Sequence, residues 1–201
     1  GGVFMNFFTA YFIYVFLLMG YGKDYLPNDS LVNGIWTNEI GLEMGLENGD
    51  KILSIGDYTP ESYSETALEI LLSQGEDLVV ERDGREVRIP IAVEFIEEMI
   101  KEKKFPGLIK PRMPYVVGSF AENSFGQVLG LQVGDSIVGL NGQEMLFFDQ
   151  YKSVLPDYAG EEVDLVYYRD GRADTLTFTL PESGRLDVYN TTAVFKYYEI
   201  K

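Results

Sequence analysis

The stretch Gly45-Leu46-Glu47-Asn48-Gly49-Asp50-Lys51-Ile52 recurs as Gly130-Leu131-Gln132-Val133-Gly134-Asp135-Ser136-Ile137, at a spacing of 85 residues. In each copy the first glycine suits the left-handed position that ends a short helix, and the second glycine suits a tight turn. The aspartate that follows can bond its own backbone, and the alternating apolar residues after it begin a strand. The phrase therefore predicts helix, turn and strand twice, and hence two similar domains.

A second repeated motif follows each copy. Arg82-Asp83-Gly84-Arg85 recurs as Arg169-Asp170-Gly171-Arg172. Asp-Gly between alternating strands favours a two-residue hairpin turn. Before each hairpin, residues 62–72 and 147–155 have apolar positions at helical spacing, and Ser62 or Ser64 can cap the first of these helices. Each half is thus predicted to contain two helices and a closing hairpin.

Composition limits the chemistry of the chain. Its 201 residues suffice for two small domains, and 32 acidic against 16 basic residues give a net charge of −16. That charge argues against a nucleic-acid partner and indicates a solvated acidic surface. The sequence has no Cys and no His, which excludes disulfides, thiolate metal sites, a histidine base and histidine-ligated zinc.

The first twenty residues are almost entirely apolar. Only Asn6 and Thr9 are strongly polar, and no charge occurs before Lys23. This length is what a bilayer-spanning helix requires, so we predict a transmembrane helix over residues 1–22. A buried hydrophobic arm and a signal peptide are the alternatives, although the basic region and cleavage site of a signal peptide are missing. Asn6 would then face protein or lie near the far interface. Because the chain begins with Gly, we interpret it as a processed product or a fragment.

These patterns carry a family resemblance. The repeated Gly-Leu-x-x-Gly-Asp phrase resembles the PDZ domains of bacterial proteases. Gly2 and Asn6, as G-x-x-x-N in an apolar stretch, resemble the second transmembrane helix of the site-2 metalloproteases of the regulator-of-sigma-E type. The resemblance covers essentially the whole chain. It implies an α+β fold of tandem PDZ-like domains, each a small partly open β-barrel with two helices, preceded by one transmembrane helix.

The predicted domain boundaries follow from the repeats and this resemblance. They are a transmembrane helix at 1–22, a first PDZ domain at 23–93, an inter-domain helix at 94–105, a second PDZ domain at 106–182, and a linker toward a following transmembrane helix at 183–201.

The resemblance also implies where catalysis takes place. The family cuts substrates within the bilayer with zinc held by H-E-x-x-H and by the aspartate of N-x-x-P-x-P-x-x-D-G, and neither motif occurs in this chain. We therefore predict no catalytic residue, no metal ligand and no cofactor here, with zinc in the intact enzyme. The implied location is the bacterial inner membrane, with the PDZ domains on the periplasmic side.

The remaining capability is peptide recognition. A PDZ groove takes an extended chain end as an added strand and holds its carboxylate in a backbone loop. The resemblance assigns the loop of the second domain to Gly107, Leu108 and Ile109, with Tyr151 and Leu155 on the opposite wall. The alternative is that Leu108, Ile109 and Leu155 are core residues. The first domain lacks a comparable phrase.

The predicted function is a regulatory, substrate-sorting PDZ pair in a zinc metalloprotease of regulated intramembrane proteolysis. Its partners would be the membrane and the carboxyl terminus of a trimmed membrane protein, such as an anti-sigma factor or a similar single-span substrate. The alternative function is a membrane-anchored PDZ adaptor without catalytic activity.

Overall fold

A computed structural model describes residues 2–21, 25–73, 75–102 and 107–192 of the chain. The described part is a mixed α and β protein with four small antiparallel sheets. Its helices and strands, in chain order, are α1 (Gly2–Tyr21), β1 (Ile35–Thr37), α2 (Glu39–Met44), β2 (Lys51–Ile55), α3 (Tyr63–Leu72), β3 (Asp77–Arg82), β4 (Arg85–Pro90), α4 (Val93–Glu102), β5 (Ile109–Pro111), β6 (Val117–Phe120), α5 (Phe125–Val128), β7 (Ser136–Leu140), β8 (Gln143–Glu144), α6 (Phe148–Val154), β9 (Glu162–Arg169), β10 (Arg172–Thr179) and β11 (Val188–Asn190).

The N-terminal helix α1 has exposed apolar side chains along its length, for example Val3 at 87% and Met19 at 79%. Polar groups interrupt this surface at Asn6 and Thr9, and the Thr9 hydroxyl donates to the Met5 carbonyl at 2.9 Å. Within the described residues, no helix combines the length and the apolar character needed to cross a membrane. The predicted helix is described over Gly2–Tyr21, but this finding does not support the transmembrane span that the sequence predicted for it.

The first unit is built around the three-stranded sheet β2-β3-β4 and the separate pair β1-β5. Helix α3 begins at a capping box, in which Ser62 Oγ accepts from the Glu65 backbone and the Glu65 carboxylate accepts from the Ser62 backbone. Ser62 is therefore the cap, rather than Ser64. The apolar side chains of these elements, including Ile70 and Leu78, form one buried core.

The second unit repeats this plan with the sheet β10-β9-β7-β8 and the pair β6-β11. Its core is a separate cluster of buried side chains that includes Tyr151, Leu165 and Leu186. The repeated turns are confirmed, since Gly45 and Gly130 have φ of 105° and 90°, and Gly49 and Gly134 have φ of 109° and 98°. The repeated phrase therefore specifies the same backbone in both units.

Strand pairing corrects the predicted boundaries of the units. β5 pairs with β1, with Pro111 opposite Ile35, so residues 107–111 complete the first unit rather than opening the second. In the same way β11 pairs with β6 and completes the second unit. Residues 188–190, which were predicted to be part of a linker, therefore belong to the second unit. Helix α4 falls in the predicted inter-domain helix, but its Ile96 is fully buried in the first core.

Candidate functional site

A cleft of about 490 Å³ runs between α6 and the chain segment that leads into β11, and we call it the second groove. Its lining combines apolar and aromatic side chains with two cations. The lining residues are Tyr115, Ala121, Phe148, Tyr151, Lys152, Leu155, Pro156, Gly184, Arg185, Leu186, Asp187, Val188 and Tyr189. One wall is thus a helix, and the other is the last strand of its unit.

Hydrogen bonds and ring packing position the helical wall. The Gln150 side chain accepts from the backbone N–H groups of Leu146 and Phe147, both at 2.9 Å, and so caps the start of α6. The hydroxyl of buried Tyr151 donates to the Met145 carbonyl at 2.7 Å. The Tyr115 ring packs on Tyr151, at 4.9 Å between ring centroids. Burial raises the pKa of both tyrosines well above the ordinary value, so they are neutral phenols at physiological pH.

The loop before β11 is shaped by a glycine and two anchors. Gly184 has φ of 64°, a conformation that residues with a side chain rarely adopt. A Cβ at this position would also approach the Pro156 Cα to 2.8 Å, which is too close. The Leu186 carbonyl accepts from the Gly126 N–H at 2.7 Å and from Ser124 Oγ at 3.1 Å. Leu186 and Val188 point into the core, whereas Arg185 is exposed.

One edge of β11 faces the groove. The register pairs Val188 with Phe120, and the Ala121 N–H donates to the Asp187 carbonyl, so the polar backbone groups of Asp187 point toward β6. Because these directions alternate along a strand, those of Val188 point away from β6. The described residues include no third strand in this sheet. The backbone of Val188 can therefore pair with an added strand.

The corresponding edge of the first unit is closed. There the register turns the backbone groups of Ile109 and Pro111 away from β1. The Tyr63 hydroxyl on α3 donates to the Ile109 carbonyl at 2.6 Å, and burial raises the pKa of this phenol. Pro111 has no N–H to offer. An added strand would therefore find the Ile109 carbonyl occupied and no N–H at Pro111.

Tyr63 and Phe148 are equivalent residues of the two units. Each is the first residue of its helix, and its N–H donates across the unit, from Tyr63 to the Leu26 carbonyl at 2.9 Å and from Phe148 to the Met113 carbonyl at 3.2 Å. Phe148 lacks the hydroxyl that closes the first edge. At this position the helix walls of the two units therefore differ by a single oxygen atom.

The structure separates the five residues predicted to bind peptide. Tyr151 and Leu155 line the second groove, and both also belong to the buried core of the second unit, so the alternative interpretation holds for Leu155 as well. Leu108 and Ile109 are buried in the core of the first unit, as the alternative interpretation held for them, and Gly107 precedes them there. The loop facing Tyr151 is instead residues 184–187, which the prediction from the sequence pattern did not include. The sequence does contain a pattern that could have indicated this loop. Gly184-Arg185-Leu186 follows the second hairpin, as Gly107-Leu108 follows the first.

The two units also meet through an ion pair. The Arg112 guanidinium, just after β5, bonds the Asp149 carboxylate on α6 through Nε at 3.1 Å and Nη2 at 3.0 Å. It also lies over the Phe147 ring, 4.1 Å from its centroid. Both charged side chains are largely buried, at 15% and 8% exposure. The helix wall of the second groove is thereby tied to the end of the first unit.

The part of the chain that the structure describes offers no metal site. No group of three or more Asp or Glu side chains in the described residues is arranged to hold a metal ion, and the sequence contains neither His nor Cys. The residues present do not suit a catalytic zinc.

Comparison with known proteins gives a partial relationship. No family model matches the chain. Over 86 residues it is 37% identical to a protein of Helicobacter pylori (strain J99) named "Putative zinc metalloprotease". The match covers 42% of this chain and 23% of that protein, so the chain spans less than a quarter of the relative it matches. The chain is thus related, over part of its length, to a protein that is named as a zinc metalloprotease.

Proposed function

We propose that this chain is the peptide-recognition part of a zinc metalloprotease and sorts protein substrates by their carboxyl termini. In this proposal the two units are PDZ domains, and an extended chain end adds to β11 as a further strand. The enzyme would be a site-2 protease that performs regulated intramembrane proteolysis.

One observation carries the proposal: the open backbone edge of β11 faces an apolar groove across from α6. An extended peptide needs backbone partners along one side and pockets for alternate side chains, and this groove offers both. Val188 supplies an N–H and a carbonyl, and Tyr151 and Leu155 supply the apolar surface. The sealed edge of the first unit limits recognition to the second.

The catalytic part of the enzyme would lie outside this chain. The name of the Helicobacter pylori relative supports a protease that uses zinc, and the residues here do not suit a catalytic zinc. In the proposed enzyme these two units therefore choose the substrate, and the zinc-bearing part cuts it.

The location is part of the same proposal. We assign the chain to the surface of the bacterial inner membrane, with the two units on the periplasmic side. The support is the resemblance of the N-terminal stretch and the exposed apolar surface of α1, which includes Phe4, Phe7 and Phe16 at 69% or more. Fractionation of cells that express the intact protein tests this, and recovery from the soluble fraction would contradict it.

The groove is tested by NMR titration of the 201-residue chain. The probe is a hexapeptide that ends in a free apolar residue, compared with the same peptide amidated. Charge-assisted hydrogen bonds contribute about 1.5 to 3 kcal/mol each, so amidation should weaken binding by about tenfold or more. Shifts are expected at Tyr151, Leu186 and Val188, with Tyr63 and Ile109 as internal controls. Equal binding of the amide, or shifts confined to the first unit, would overturn the proposal.

A further inference from the structure

The second groove carries an unusual share of the positive charge of its unit. From Arg112, at the junction of the two units, to residue 192 there are twelve acidic side chains and five basic ones. Arg112 and Arg169 are bound to the buried carboxylates of Asp149 and Asp135. Of the other three basic residues, Lys152 and Arg185 both line the groove. The positive charge that is left in this acidic unit is therefore concentrated where a ligand would lie.

These two cations have no partner in the described part of the chain. Neither Lys152 nor Arg185 takes part in a hydrogen bond or an ion pair there, although acidic residues outnumber basic ones throughout the unit. One carboxylate, Asp187, lines the same cleft. The groove is thus locally positive on a chain whose net charge is −16. The net negative charge of the chain does not attract an acidic peptide from a distance. Selection of such a peptide therefore has to come from close contact with the two cations.

The two cations lie at different points along the groove. Arg185 is in the loop that precedes β11, and an antiparallel added strand would end its chain at that loop. Leu155 and Pro156 lie at the same end, because Pro156 is beside Gly184. Lys152 is three residues earlier on α6, which is about 4.5 Å along the helix axis. Side chains on one face of a strand are about 6.6 Å apart. Lys152 would therefore be near the side chain two positions before the peptide terminus.

We infer that the second groove selects carboxyl-terminal peptides that carry an acidic side chain two positions before the last residue. This inference rests on the proposed function. Arg185 adds to the binding of the terminal carboxylate, and the Lys152 ammonium pairs with the acidic side chain. The last residue of the peptide is apolar and contacts the lining at Leu155 and Pro156. A basic side chain in place of the acidic one would face Lys152 and be repelled.

The test compares three free-terminus hexapeptides that differ only in having Glu, Gln or Lys two positions before the end. Their affinities for the 201-residue chain are measured by fluorescence anisotropy at low and at high salt. Partly exposed ion pairs contribute about 0.2 to 1 kcal/mol, so Glu should exceed Gln by up to about fivefold, and Lys should bind weakest. High salt should reduce these differences.

Charge reversal assigns the effect to a residue. Lys152→Glu should invert the order of the Glu and Lys peptides. Arg172→Glu is the matched control, because it makes the same charge change on an exposed strand residue that is not part of the groove lining, and it should preserve the order. Arg185→Glu should weaken all three peptides together.

The outcomes separate this inference from the proposed function. Equal affinity for the Glu, Gln and Lys peptides, with free termini still preferred over amides, would overturn the charge selection and leave the groove intact. Inversion of the order by Arg172→Glu as well would mean that net charge, rather than Lys152, governs selection. If none of the peptides binds, the proposed function fails, and this inference fails with it.

Discussion

Arg169 binds Asp135 through two parallel hydrogen bonds, with Nε and Nη2 each 2.7 Å from a different carboxylate oxygen. The Asp135 side chain is only 1% exposed, and one of its oxygens also accepts from the Gln132 N–H at 2.8 Å. Arg169 Nη2 reaches on to the Gly130 carbonyl at 2.9 Å. This pair joins the repeated turn of the second unit to its closing hairpin.

The first prediction concerns the loss of this guanidinium. Arg169→Leu leaves the buried carboxylate of Asp135 without its cation, and breaking such pairs typically costs about 3 kcal/mol. We expect that loss in the free energy of unfolding of the second unit, measured by urea denaturation. Arg82 and Asp50 form the same arrangement in the first unit, so Arg82→Leu should destabilise that unit instead.

Arg172→Leu is the matched control for that prediction, because Arg172 is an exposed residue of the same hairpin with no ion pair in the described structure. It should change the stability by less than about 0.5 kcal/mol. If the Arg169 and Arg172 variants unfold at the same urea concentration, the buried pair does not have the role described.

The second prediction is that the second unit loses stability at alkaline pH. Burial raises the pKa of Tyr115 and Tyr151 above the ordinary value of about 10. The unfolded chain therefore releases these protons first as the pH rises. The stability is complete below about pH 10 and falls above it by up to about 1.4 kcal/mol per pH unit for each tyrosine.

Urea denaturation at a series of alkaline pH values measures this slope, and tyrosinate absorbance shows when the phenols ionise. Tyr115→Phe should flatten the pH dependence, because one of the two buried groups no longer titrates. Complete ionisation of all tyrosines while the second unit is still folded would contradict the prediction.

The third prediction exchanges the single oxygen that distinguishes the two helix walls. Phe148→Tyr adds a hydroxyl that can donate to the Val188 carbonyl, as Tyr63 does to Ile109, so it should compete with an added peptide strand. A hydrogen bond of about 1 kcal/mol corresponds to a roughly fivefold loss of peptide affinity. Fluorescence anisotropy measures this loss.

Tyr63→Phe is the reciprocal variant. It should lower the stability of the first unit by about 1 kcal/mol, because it removes the bond to the Ile109 carbonyl. Unchanged peptide affinity in Phe148→Tyr would mean that the added hydroxyl does not reach the strand edge.

The fourth prediction tests the repeated turn. Gly134 has φ of 98°, and no atom lies within 4 Å of the position of an added Cβ. Gly134→Val should therefore destabilise the second unit through backbone strain alone, by about 1 to 3 kcal/mol. Gly107→Val is the control, because Gly107 has equally open space and no positive φ. Equal melting temperatures for the two variants would argue against strain at Gly134.

The local structure of the repeats could be predicted from the sequence because each turn is specified by its own residues. Gly45, Gly130 and the Asp-Gly turns all adopt the positive φ that their sequence context indicates. The pairing of β5 and β11 could not be predicted in this way. Each is a three-residue strand, too short for a pattern, and its partner lies at the other end of its unit.

The unpredicted pairing of β5 and β11 explains why one wall of the candidate site could be predicted and the loop opposite it could not. Tyr151 and Leu155 are one helical turn apart in the sequence, which predicts that they lie on one wall. The loop opposite them was assigned to Gly107 because that phrase immediately precedes the second unit in the sequence. Pairing with β1 places this phrase in the first unit, and the loop at Gly184 takes the corresponding position in the second.

The position of β11 at the end of its unit has a consequence for synthesis and folding. As the chain emerges from the ribosome, β6, the helices and the hairpin of the second unit are all made before Leu186 and Val188 are available. Until those two side chains dock, the core is incomplete and β6 lacks its partner. Contacts between distant parts of a chain form slowly, so the groove would be the last part of the unit to assemble. A released chain that ends shortly after Leu180 would therefore have the hairpin and a partial core but no groove.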